Sequence, residues 1–127
     1  MGAKITYQNK RLINYENVSD IIVESSILQG CELNQEMSKL MIDEYPILAV
    51  AASFAKSPSL FRGLNELRFK ESDRLKLIEL NLNRCGVYCE IRNDDLYIDP
   101  SKKMECINRK IKTEFDHRIA MAFTIMG

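Results

Sequence analysis

The sequence predicts an α/β chain of the α+β kind, with buried helices packed against small sheets. Three observations carry this prediction. The first third holds short β-branched runs that alternate apolar and polar residues. Two later segments are apolar almost all round over helical lengths. Between them lie one segment with a clear amphipathic stripe and then a hairpin pattern.

Taken in order, Lys4–Gln8 alternates and reads as a strand, with Asn9-Lys10-Arg11 as its turn and Arg11–Tyr15 as a second strand. Asp20–Glu24 is a third strand, Gln29-Gly30 a break and Cys31–Leu33 a short strand. The first helix is expected from Tyr45 to about Lys56, capped by Asp43, with Pro46 in the first turn where a missing N–H costs nothing. From Ile47 to Ala55 only Ser53 is polar, so this helix should be buried. Ser57-Pro58 stops it, and Ser59–Arg62 reads as a strand ending at Gly63. The second helix runs from about Ser72 to Arg84. Leu75, Ile78 and Leu82 form its stripe, and Gly86 suits the position just past its last turn. Val87–Ile91 and Leu96–Ile98, separated by Asn93-Asp94-Asp95, form a hairpin. Residues 104–112 read as a loop plus a short strand. A last helix opens near Asp116, and its run from Ile119 to Met126 is again nearly all apolar.

The chain has 127 residues, 46% of them hydrophobic and 28% charged, which suits one domain with a real core. Eighteen basic and eighteen acidic side chains cancel, which argues against a non-specific nucleic-acid binder. No apolar run reaches the roughly 18 residues of a membrane-spanning helix, and no export signal is seen, so a cytoplasmic location is expected. Cys31, Cys85, Cys89 and Cys106 then read as reduced thiols. Cys85 and Cys89 are four apart, but Gly86 lies between them, no second Cys pair is near and His117 is the only histidine, so no metal site is expected.

Each helix start carries charge out of keeping with its apolar body: Asp43-Glu44, then Lys70-Glu71-Ser72-Asp73-Arg74, then Asp116-His117-Arg118. The acidic residues suit a helix N-terminus. The basic ones do not, because Lys70, Arg74 and Arg118 lie where the dipole is already positive. N–H groups, a positive dipole end and a guanidinium fork are what an anion site needs. The plainer alternative is a surface salt-bridge cluster with Glu71, Asp73 and Asp116. Were the three starts to converge, carboxylates would lie beside anion binders, which suits proton transfer on a substrate carrying phosphate or carboxylate. Spacing alone does not show that they do.

Three stretches carry a family resemblance. Residues 43–52, DEYPILAVAA, resemble the "DE-P-ILA-AA" segment of the 5-enolpyruvylshikimate-3-phosphate (EPSP) synthase family. Residues 66–74, ELRFKESDR, resemble its "ELRVKESDR" signature, and residues 116–121, DHRIAM, its "DHR-AM" signature. Ser25-Ser26 and Leu28-Gln29-Gly30 also look like the bacterial pattern. The resemblance covers the whole chain but only part of such an enzyme, from its C-terminal half. Family members have two similar domains, each made of three βαβαββ-type repeats. The chain stops short of the family's later lysine motif, and Met1–Ile5 resembles an interior strand. A single partial domain over residues 1–127 is therefore expected, as a split-gene product, a relic or a cloned fragment.

The resemblance implies transfer of the enolpyruvyl group of phosphoenolpyruvate to the 5-hydroxyl of shikimate 3-phosphate, with phosphate leaving after a tetrahedral intermediate and no cofactor. By motif, Asp43 is the base at that hydroxyl and Glu71 the proton-transfer group at the methylene carbon. Lys70 contacts the shikimate-phosphate side, Arg74 and Arg118 hold phosphoenolpyruvate, and His117 lies beside it. The family's other domain supplies the second wall of the cleft, so the chain alone is expected to be inactive and to need a complementing N-terminal fragment. The alternative is a non-catalytic anion-binding or interaction module, or a relic. A sister transferase acting on a nucleotide sugar is disfavoured by the Lys-Glu-Ser-Asp-Arg run. The helices at 45–56 and 118–126 are too apolar to face solvent alone, so exposed apolar surface and self-association are also expected.

Overall fold

The computed structural model describes every residue except 104 and 106–109. The expected loop and strand over 104–112 therefore falls largely outside the described residues.

The chain opens with a two-stranded ribbon, β1 (Lys4–Ile13) antiparallel to β2 (Glu16–Glu24). Three expected strands are thus two. The turn is at Asn14-Tyr15, both with positive φ (49° and 67°), not at Asn9-Lys10-Arg11. Asn9 (φ 50°) instead marks a bulge, where the register slips between Gln8 and Arg11. Asp20 pins it, accepting from the Asn9 amide at 2.8 Å and from Arg11 Nη1 at 3.0 Å. The bulge has a purpose legible in the side chains. Ile5 pairs with Val23 and Tyr7 with Ile21 on one face, and the extra residue returns Leu12 to that same face. All five are exposed, so the ribbon presents a bare apolar face.

The second sheet has four strands in the order β3 (Glu32–Leu33), β4 (Ser59–Phe61), β6 (Asp95–Lys103) and β5 (Val87–Arg92). β3 and β4 are parallel, and the other neighbours are antiparallel. Between β3 and β4 lie α1 (Gln35–Leu40), a 3-10 turn (Ile42–Glu44) and α2 (Tyr45–Ser53). Between β4 and β5 lie a 3-10 segment (Asn65–Phe69) and α3 (Arg74–Arg84), and α4 (His117–Met126) follows β6. The stretch from β3 to β6 is one βαβαββ unit, the mixed α/β architecture with small sheets that the sequence predicts.

The core forms where α2, α3 and α4 meet the inner face of this sheet. Phe61, Cys89, Leu96 and Ile98 from the strands pack with Ala49, Val50, Leu75, Ile78, Leu82, Ile119 and Phe123 from the helices. Cys89 is buried there and desolvation pushes its thiol pKa up, so it is an inert packing residue. Among the described residues no cluster could hold a metal ion and no helix is long and apolar enough to cross a membrane. α3 ends as expected, with Gly86 at φ 84° just past its last turn. The two apolar helices are less buried than their composition suggests. Ile47 on α2 is 42% exposed, and Met121 and Ile125 on α4 are 58% and 73% exposed. With Pro46 and Ala122 they line an open groove that has Asp43 and Arg118 in its wall.

Candidate active site

The site is built around Arg74, the first residue of α3, whose side chain is 1% exposed. An arginine is buried only when its fork is satisfied, and here three carboxylates from three segments satisfy it. Nε donates to Asp116 Oδ2 at 2.8 Å, Nη1 donates to Asp43 Oδ1 at 2.9 Å, and Nη2 donates to Glu71 Oε2. Burial alone works against the guanidinium charge. Hydrogen bonding to Asp116 and the charges of Asp116, Glu71 and Asp43 outweigh it and hold the pKa above its ordinary value.

Asp116 is fully buried and accepts four donors. Oδ1 caps α4 through the backbone N–H of Arg118 (2.9 Å) and Ile119 (3.3 Å). Oδ2 takes Arg74 and the Ser72 hydroxyl at 2.9 Å. One side chain therefore fixes the start of α4 and the start of α3 to each other. Burial raises its pKa, but the hydrogen bonds from Arg74, Ser72 and Ile119 with the Arg74 charge win, and it lies below the ordinary 3.8. A depressed folded-state pKa contributes stability that is fully present above about 3.8 and is lost as pH falls through the folded value. Urea unfolding followed by circular dichroism from pH 6 down to about pH 2 should show this acid loss, and Asp116→Asn should make the acid limb shallower. An acid limb identical in both proteins would contradict it.

Around this buried pair stands a half-exposed rim. Asp43, in the 3-10 turn before α2, also meets Lys70 Nζ (3.6 Å from Oδ1) and Arg118 Nη2 (3.5 Å from Oδ2). Arg118 Nη1 donates to the Asp43 backbone carbonyl at 3.3 Å. The expected cap is corrected here. The residue before α2 is Glu44, with no side-chain cap bond, and the Asp43 carboxylate turns away from the helix towards the cations. Lys70 is held by the segment before it: Leu67 is buried, and Arg68 ties that segment to the β5–β6 turn through Asp94 (3.2 Å) and the Asn93 carbonyl (2.8 Å).

Five of the six residues singled out from the sequence thus meet: Asp43, Lys70, Glu71, Arg74 and Arg118. His117 opens α4 next to them but is exposed, and its side chain has no hydrogen bond or ion pair among the described residues. The salt-bridge reading is also realised in part, because Arg74 does pair with Glu71 and Asp116. The Asp116 pair lies in the interior and the Glu71 carboxylate is 55% exposed, while Asp73 instead caps α3 by accepting from the Lys76 N–H at 3.0 Å. Sequence reasoning gave Asp116 only a helix start and a place in the surface salt-bridge alternative, and missed that it holds Ser72 and Arg74 in the interior.

The family model described as EPSP synthase (3-phosphoshikimate 1-carboxyvinyltransferase) matches residues 1–127. The chain belongs to the EPSP synthase family. Relatives named 3-phosphoshikimate 1-carboxyvinyltransferase include those of Paramagnetospirillum magneticum, 46% identical over the whole chain, and Clostridium tetani, 41% identical over 97% of it. The chain spans 28% of the length of each. A solved EPSP synthase from Acinetobacter baumannii superposes on 99% of the chain with a TM-score of 0.86 at 33% identity, and the match covers 30% of that structure. The part of the EPSP synthase fold present here is the part that carries the converged cluster.

Proposed function

We propose that this chain supplies one wall of an EPSP synthase site, at which enolpyruvyl passes from phosphoenolpyruvate to the 5-hydroxyl of shikimate 3-phosphate. The observation that supports this reading best is the convergence, from three segments far apart in sequence, of Lys70, Arg74 and Arg118 on Asp43, with Glu71 paired to Arg74. In this reading Asp43 takes the proton of the hydroxyl as its oxygen bonds to C2 of phosphoenolpyruvate. Glu71 gives a proton to the methylene carbon, making a methyl group, and takes one back as phosphate leaves. Lys70 offers a point charge to the shikimate-phosphate side, and Arg118, with Arg74, offers a fork to phosphoenolpyruvate. His117 lies beside the same ligand. Each Arg74 nitrogen already donates once to a carboxylate, so Arg74 serves the ligand through the second N–H of Nη1 or Nη2, or by exchanging Glu71 or Asp43 for the ligand's own anion.

One wall positions neither reactant nor excludes water from both, so turnover needs the rest of the cleft, and the isolated chain is expected to be inactive. Binding is the property to measure. Amide spectra of the labelled chain, titrated with phosphoenolpyruvate and then shikimate 3-phosphate, should shift at Lys70, Glu71 and Arg118, and Arg118→Ala should remove the phosphoenolpyruvate shifts. Dispersed spectra that stay unmoved at about millimolar ligand, a concentration that detects even a binding energy near 4 kcal/mol, would overturn the reading.

A further inference from the structure

Three cations in this site point at one carboxylate. Arg74 Nη1, Lys70 Nζ and Arg118 Nη2 lie 2.9, 3.6 and 3.5 Å from the Asp43 oxygens. They come from two different segments, and Asp43 comes from a third. We propose that Asp43 is the resident anion of the site: it fills the place of a ligand phosphate or carboxylate when none is bound and must swing out for one to bind.

Asp43 differs in every relevant respect from the carboxylate that stays. Asp116 is fully buried, takes two backbone N–H groups and a hydroxyl besides Arg74, and caps a helix. The Asp43 side chain is 38% exposed and, among the described residues, takes no backbone N–H and caps no helix. Two of its three ion contacts are long, and exposed contacts of that kind are individually weak. It sits in a three-residue 3-10 turn, where little needs to move. When it leaves, it regains water, and Arg74 keeps Asp116. The cations are then left with the unmet demand that an anion satisfies.

The charges agree. Lys70, Arg74 and Arg118 are balanced by Asp43, Glu71 and Asp116, so the empty site is neutral as built. A ligand anion does not meet a free positive pocket. It meets one already filled, and its apparent affinity is lowered by the fraction of time Asp43 is in place. The same exchange turns the Asp43 carboxylate from the cations towards the space the ligand enters, where the proposed reaction needs a base.

This inference rests on the anion-binding reading of Lys70 and Arg118, and the test separates the two. Calorimetric titration with inorganic phosphate, and then with phosphoenolpyruvate, would compare the unaltered chain with Asp43→Asn and Glu44→Gln. Asn keeps the shape and an acceptor for Arg74 but removes the charge. Glu44 is the exposed neighbour that forms no ion pair with the three cations among the described residues. Asp43→Asn should bind phosphate about tenfold more tightly, as expected if Asp43 holds the site roughly nine-tenths of the time. Glu44→Gln should stay within about twofold, the scale of a screened surface charge. Equal or weaker binding by Asp43→Asn, or the same gain in Glu44→Gln, overturns the resident-anion proposal and leaves the anion reading standing. No binding by any of the three overturns both. Should Asp43→Asn fail to fold, carboxyl-carbon spectra of the aspartate-labelled chain decide the matter. Saturating phosphate should move the Asp43 resonance and leave that of Asp116 in place, and an unmoved Asp43 resonance overturns the proposal.

Discussion

Arg74→Met should cost about 3–5 kcal/mol of folding stability, the penalty for removing one partner of a buried ion pair. The arithmetic lies in what is left behind. Asp116 is fully buried and keeps only Ser72 and two backbone N–H donors, so an ionised carboxylate is stranded in the interior. Its cheapest escape is to take up a proton or to admit water, and either loosens the start of α4. Glu71 and Asp43 lose their common anchor at the same time. The effect is therefore double: a large drop in urea midpoint and loss of the rim geometry. Lys70→Met is the comparison, because that side chain is 29% exposed and its one ion pair among the described residues is 3.6 Å long, so about 1 kcal/mol or less is expected. If Arg74→Met were no worse than Lys70→Met, Asp116 would not depend on Arg74, and the site would be held by its backbone alone.

How much of this was legible in the sequence depends on the range of the interaction. α3 was plain, because a leucine stripe and a terminal glycine act within one helix. The β5–β6 hairpin was plain as well, since Asn93 sits at positive φ (59°) where an asparagine is at home. The first hairpin misled for the same local reason. Asn-Lys-Arg looks like a turn and is a bulge, while the true turn hides its second residue as Tyr15, a poor left-handed residue. α1 carries almost no apolar signal over its six residues and rests on the Asn34 cap, so it left no period to read. Asp43 illustrates the limit best. A carboxylate before a helix looks the same whether it turns to an N–H nearby or to an arginine 31 residues away, and only the fold chooses. The motifs identified the family. Convergence, the inward turn of Arg74 and the hydrogen bonds by which Asp116 ties the start of α3 to that of α4 needed coordinates.

Gly30→Ala should be nearly as damaging as losing Arg74, although it removes no charge and no hydrogen-bonding side chain. A Cβ at Gly30 would fall on the backbone carbonyls of Ser57 and Pro58. Backbone cannot rotate aside as a flexible side chain does, so the cost should reach or pass the upper end of the about 1–3 kcal/mol typical of overpacking. The crowding is the consequence of a tight seam. Lys56 N–H donates to the Leu28 carbonyl at 2.9 Å, Gly30 N–H to the Ser57 hydroxyl at 2.9 Å and Cys31 N–H to the Ser59 hydroxyl at 3.2 Å. That seam sets β3 beside β4 in parallel. The chain after β3 carries Asp43, and the chain after β4 carries Lys70, Glu71 and Arg74, so forcing the seam apart moves one half of the cluster against the other. Gly127→Ala is the fair control, since a Cβ there comes no closer than 3.9 Å to any atom and should change stability by less than about 0.5 kcal/mol. Urea midpoints give the stability, and the Arg74 side-chain N–H resonances report whether its three carboxylates still hold it. A Gly30→Ala protein with an unchanged midpoint and unchanged Arg74 resonances would mean that the loop at 56–59 yields freely and that the site takes its geometry from the helices alone.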